Sequence, residues 1–115
     1  MASGKTRCWY KEGVVHQNFK KKILEAKQIV YDIYGGYGLD LFITSGEEGN
    51  HGCGSLHYVG KAIDIDLPPA NLLDFIHRDI ASALGGKGYD VVLHNTSHFH
   101  IEFDPKPGEP GYESH

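Results

Sequence analysis

Residues 89–103 read YDVVLHNTSHFHIEF, and this stretch decides the fold. Residues 89–94 and 98–103 are two short runs rich in β-branched and aromatic side chains, separated by Asn95, Thr96 and Ser97. Two such runs with a three-residue connection predict an antiparallel hairpin. The second run has period two. Phe99, Ile101 and Phe103 fall on one face, and His98, His100 and Glu102 on the other. Residues 61–67, KAIDIDL, alternate in the same way, with Ile63, Ile65 and Leu67 opposed to Ala62, Asp64 and Asp66. Both strands therefore have an apolar face for a core and a polar face that carries ionisable groups.

Working outward, apolar positions 19, 23, 26, 30, 33 and 34 have helical spacing, opposite Lys20, Lys21, Lys22, Glu25 and Lys27. A helix over residues 19–34 is predicted, capped by Asn18 and stopped by Gly35 and Gly36. The lysine run reads as its solvated face. Residues 39–45 read as a buried strand and residues 46–54, with four glycines, as a loop. Residues 71–84 form a second amphipathic helix, with Leu72, Leu73, Ile76, Ile80, Ala83 and Leu84 inward. Residues 9–17 hold a short strand or a docked arm. The expected class is α+β, a mainly antiparallel sheet with two flanking helices. The expected organisation is a flexible N-terminus over residues 1–8, one domain over 9–105 and an irregular tail over 106–115.

The chain has 115 residues, the length of a single domain. Eleven basic against fifteen acidic residues give a net charge of −4, which argues against a nucleic-acid partner. No apolar run is long enough for a membrane span. The first residues lack the basic-then-apolar order of a secretory signal, so synthesis in the cytoplasm is expected. Two cysteines make no disulfide framework.

Histidine is the unusual count. Five of the eight fall within residues 51–57 and 94–100, where even spacing would place about one. Imidazoles on alternate residues of a strand stand about 6–7 Å apart and can line one site. Histidines near carboxylates are the donor set of a catalytic zinc, which keeps one coordination position open for water. The same His-x-His spacing also occurs on plain solvated strands, and spacing alone does not decide between the two.

Residues 54–67 read GSLHYVGKAIDIDL. The pattern Ser-x-His-x-x-Gly-x-Ala-x-Asp, followed downstream by His-x-His, resembles the zinc D-alanyl-D-alanine carboxypeptidase and endopeptidase family of murein hydrolases. The Ser-Leu-His-Tyr wording is similar to its small phage-encoded members and to the hedgehog amino-terminal signalling domain, which shares the fold and zinc site. The resemblance spans residues 19–105. It implies zinc as cofactor, held by His57, Asp64 and His100, with His98 beside the metal and able to steady an oxyanion. It implies that Ser55, Gly60 and Ala62 shape the turn at the metal, with Ser55 and Tyr58 on the substrate side. Trp9 and Tyr10 either line a peptide groove with Tyr58 or anchor the N-terminal arm. The implied partner is a murein peptide, the implied form a monomer, and the implied route to the wall lysis or a virion.

The sequence departs from that family twice. Ser97 stands three residues before the last histidine ligand, where the peptidases usually have a carboxylate base. His94, just after the strand, is the first candidate for the base, since its ordinary pKa is near neutral. Glu102 is the second candidate. The carboxypeptidases also carry an arginine after the Ser-Gly that follows the first core strand. Here Ser45–Gly46 is followed by Glu47 and Glu48, and the only arginines are Arg7 and Arg78. Glu47 and Glu48 stand where hedgehog domains carry calcium ligands, and are expected to be solvated charges. His51 is expected at the cleft rim, Cys53 is a soft donor near the motif, and Asp66 is expected as a carboxylate on the surface or behind the ligands rather than as a ligand. These departures keep a second function open: a zinc-stabilised binding module or phage structural component without turnover.

Overall fold

The computed structural model describes residues 6–48, 60–94, 97–109 and Tyr112. The chain forms β1 (Cys8–Tyr10), α1 (Lys21–Gly36), β2 (Leu41–Ser45), β3 (Ala62–Asp66), α2 (Ala70–Leu84), β4 (Tyr89–His94) and β5 (His98–Phe103). The five strands make one sheet in the order β1-β2-β3-β5-β4. Three pairings are antiparallel, including the expected hairpin, in which Val91 faces Ile101 and His94 faces His98. The pairing of β1 with β2 is parallel, so the sheet is mixed. The architecture is α+β with two helices.

The two helices cover one face of the sheet. Ile23, Ala26 and Val30 of α1 and Ile76, Ile80 and Leu84 of α2 are fully buried, at helical spacings of three and four. They meet Leu41, Ile43, Ile63, Ile65, Phe99 and Ile101, the inward residues of three neighbouring strands. Leu72, Leu73 and Ala83 are only partly buried, because they flank the stripe made by Ile76, Ile80 and Leu84. Ala62 is fully buried although it alternates with the isoleucines. It is small, lies in the sheet's middle strand and faces the larger Glu102.

Both ends of α1 differ from the sequence expectation. The helix begins at Lys21 with Lys20 as N-cap and no side-chain capping bond. Asn18 does not cap it; its N–H is given to the carboxylate of Glu47 at 2.9 Å. Gly35 and Gly36 lie inside the helix. The stop comes at Gly38, whose φ of +76° is the left-handed conformation glycine adopts without strain. There the N–H groups of Tyr37 and Leu39 both reach back to the Tyr34 carbonyl.

The glutamates after β2 correct a second expectation. Glu48 is no solvated charge. Its carboxylate accepts hydrogen bonds from the Val15 N–H at 2.9 Å, the Gly46 N–H at 2.9 Å and the Ser45 hydroxyl at 2.8 Å. Burial pushes the Glu48 carboxyl up, but these donors outweigh it and hold its pKa below the ordinary glutamate value. Glu47 and Glu48 thus tie the segment before α1 to the end of β2. Gly60 completes that junction. Its φ is +73°, its carbonyl accepts from the Lys20 N–H at 2.9 Å, and a Cβ there would stand 2.3 Å from the Asn18 carbonyl oxygen.

Candidate metal centre

The sheet face opposite the helices carries the ionisable groups. Register decides which of them meet. On β3 and β5, Asp64 faces His100, Asp66 faces His98 and Ala62 faces Glu102. On β5 and β4, His100 faces Val92, His98 faces His94 and Glu102 faces Asp90. Period two along each strand keeps all of these on one face.

Asp64 and His100 meet across β3 and β5. The Nδ1 of His100 lies 2.8 Å from Oδ1 of Asp64, and the Nε2 lies 2.7 Å from Oε1 of Glu102. The side chains of Asp64 and His100 are only 15% and 19% exposed, so their charges interact with little screening. The Asp64 hydrogen bond raises the His100 pKa above the ordinary value. Burial opposes this, and Glu102 adds to the rise. When protonated, the His100 ring donates one N–H to Asp64 and the other to Glu102.

The neighbouring row holds His98 and His94. The His98 Nε2 stands 3.7 Å from Oδ1 of Asp64, beyond a hydrogen bond but within ion-pair range. Its Nδ1 is 2.5 Å from the Ser97 hydroxyl. The His94 ring stacks on His98 with centroids 4.6 Å apart. Asp64, His98 and His100 are therefore brought together, and His94 joins through His98, one row away from the Asp64–His100 pair. His57, Ser55, Tyr58, His51 and Cys53 lie outside the described residues. Trp9 and Tyr10 lie in β1, where Tyr10 stacks on His16 and accepts a hydrogen bond from Lys27 at 3.0 Å, anchoring the arm.

The donor chemistry of the pair suits a transition metal. An imidazole nitrogen and a carboxylate oxygen converge, and a second carboxylate takes the other ring nitrogen. That is the arrangement in which an outer carboxylate fixes the tautomer and direction of a ligating histidine. Among the described residues, the group of three or more donors close enough together to hold a metal ion is a different one: Asp90, Glu102 and Asp104 bring three carboxylate oxygens within 4.8 Å of one another at a half-buried to exposed position. The sequence reading missed it, although the hairpin register that sets Asp90 opposite Glu102 would have found two of the three. This all-oxygen set suits hard cations rather than zinc. It also already has a cation, since Lys106 Nζ lies 3.2 Å from Asp90 and 2.8 Å from Asp104. Glu102 belongs to this group and also contacts the far ring nitrogen of His100 at 2.7 Å, a contact the sequence reading did not assign.

No helix among the described residues is long and apolar enough to cross a membrane. No family model matches the chain, and no curated protein matches it.

Proposed function

We propose that the protein is a zinc-dependent peptidase of the murein-peptide type, with the metal held by His57, Asp64 and His100, in a fold of the hedgehog and DD-peptidase kind. The observation that carries this reading is the convergence of His100 Nδ1 and Asp64 Oδ1 at 2.8 Å across neighbouring strands, with Glu102 on the far ring nitrogen. These are two of the three positions that the sequence resemblance marks as ligands. Bound zinc supplies Lewis acidity, which activates water and polarises a peptide carbonyl.

The chain's own groups divide the remaining work. Glu102 accepts the Nε2 proton of His100 and keeps Nδ1 turned towards Asp64. His98 offers an N–H beside the same carboxylate, where negative charge develops on a carbonyl oxygen. Ser97 donates its hydroxyl proton to Nδ1 of His98 and so fixes the tautomer that carries hydrogen on Nε2. His94, stacked on His98, is the base this reading assigns to the attacking water.

One observation favours the second reading, a zinc-stabilised binding module without turnover. The family's base position holds Ser97, whose hydroxyl is engaged with His98, and the second base candidate, Glu102, is committed to His100. One experiment separates the readings. Zinc-loaded protein is incubated with purified murein peptides between about pH 5 and 9, and new amines are sought by mass spectrometry. Release that disappears in His100→Ala and falls in His94→Ala supports the peptidase. No release at any pH, from protein that holds zinc, supports the binding module.

A further inference from the structure

The sheet face that carries Asp64 and His100 continues past β3 onto β2 and β1, and there its character changes. Trp9 of β1 and Phe42 of β2 are register partners, with rings 20° from parallel and centroids 6.4 Å apart. They are 42% and 43% exposed, so this is an aromatic shelf and not a piece of the core. The shelf is fixed. Asp40 accepts the Trp9 indole N–H at 3.1 Å and the Arg7 backbone N–H at 2.8 Å. Beside it opens a cavity of about 220 Å³ lined by Phe42, Tyr34, Asp40, Asp66, Pro68 and their neighbours.

The chemistry of that cavity is one-sided. Its walls are tyrosine, phenylalanine, proline, leucine and two aspartates; among the described residues no basic residue lines it, although the Arg7 charge reaches Asp40. Asp40 is occupied by Trp9 and the Arg7 backbone. Asp66 is exposed, and no hydrogen bond or ion pair of its carboxylate is found among the described residues. Its charge is felt in the cavity: burial raises the Tyr34 phenol, and Asp66 raises it further. The aromatic shelf already takes one cation, with the Arg7 guanidinium 5.8 Å from the Trp9 ring centroid. Carboxylate, aromatic face and proline together fit a cationic head on an aliphatic stem, which lays its methylenes on rings and keeps its charge at the anion.

We propose that this cavity is a subsite for an alkylammonium side chain, such as that of lysine or another diamino acid, in an extended peptide lying across the sheet face. It deepens the peptidase reading and rests on it for the word substrate. Asp66 is two residues along β3 from Asp64 and faces His98. The subsite therefore lies about 6–7 Å along the strand from the metal pair, the spacing of residues on one face of an extended peptide.

The test is binding, read without hydrolysis and on metal-free protein. Nα-acetyl-lysine methylamide, its norleucine analogue and its glutamate analogue are titrated into the full chain. The emission of Trp9, the single tryptophan, and the amide shifts of β2 and β3 are followed. The lysine probe should saturate, shift Phe42 and Asp66 amides, and bind at least about fivefold more tightly than the norleucine probe. Asp66→Asn, with an unchanged melting temperature, should remove that advantage, and Phe42→Ala should weaken both probes. Equal affinity for lysine and norleucine probes, tighter binding of the glutamate probe, no saturable binding, or an unaltered preference in Asp66→Asn overturns the proposal. Lysine-selective binding in a protein that never cleaves murein peptides would sink the peptidase reading and leave the subsite standing. Cleavage without lysine selectivity would do the reverse.

Discussion

Replacing Glu48 with alanine should destabilise the fold by about 2 kcal/mol. The carboxylate accepts three donors at 2.8–2.9 Å, and each charge-assisted bond of this kind contributes roughly 1 kcal/mol when half-buried. Val15 is 38% exposed, so water can serve its N–H and that bond counts least. Gly46 is buried, so the loss of its anionic acceptor counts most. For a domain of this size about 2 kcal/mol corresponds to a fall of about 8 °C in Tm, read by circular dichroism at pH 7. Glu48→Gln keeps one carbonyl oxygen and should lose about half as much. The pH dependence has a definite sign. The folded pKa of Glu48 lies below its ordinary 4.5, so its contribution is present above 4.5 and is lost as pH falls through the folded value. The gap between wild type and Glu48→Ala should therefore narrow progressively as pH falls below 4.5. A Tm change under about 2 °C at pH 7, or a gap as wide in acid as at neutrality, would refute the reasoning.

Three further outcomes are expected. Gly60→Ala combines a positive φ with a backbone oxygen 2.3 Å from the new Cβ; it should cost about 3 kcal/mol in chemical denaturation, whereas Gly36→Ala, with open space around it, should cost nothing or stabilise. Glu102→Gln should weaken zinc binding by about 10- to 100-fold in a chelator competition while leaving the Tm of the metal-free protein within a few degrees. In chelated protein, His100 has a pKa raised above 6.5, so its stabilisation is complete below pH 6.5 and is lost as pH rises through the folded value. The Tm of chelated protein should therefore fall across that range, and His100→Gln should flatten the fall.

How far the fold can be read from the sequence depends on whether one periodicity acts alone. It does on β5, where Phe99 and Ile101 alternate with His98 and His100, and on α2, where Ile76, Ile80 and Leu84 repeat along one stripe. Both elements fold as their patterns predict. The ends of α1 were harder to read because tertiary contacts override local signals there. Asn18 has the chemistry of a cap, yet Glu47, 29 residues away, takes its backbone N–H first. Gly35 and Gly36 look like a stop, but the positive φ that ends the helix falls at Gly38. The parallel pairing of β1 was not legible, since three residues have no period to read; what docks them is Asp40, through the Arg7 and Trp9 N–H groups.

The candidate site shows the same division. Period two placed His98, His100 and Glu102 on one face and Asp64 on a polar face, but only register sets Asp64 opposite His100 rather than His98. The orienting contact of Glu102, the Ser97–His98 hydrogen bond and the Asp90–Glu102–Asp104 group with Lys106 all depend on rotamers and on strand pairing, which no spacing rule supplies.

The central claim is that Asp64 and His100 are metal ligands, and the most direct measurement is the zinc content of purified protein by elemental analysis, beside that of Asp64→Asn and His100→Ala. The account predicts about one zinc per chain, a Tm that rises when zinc is returned to chelated protein, and loss of both in either variant. No bound zinc and no change in Tm on its addition, or full zinc content in both variants, would contradict it.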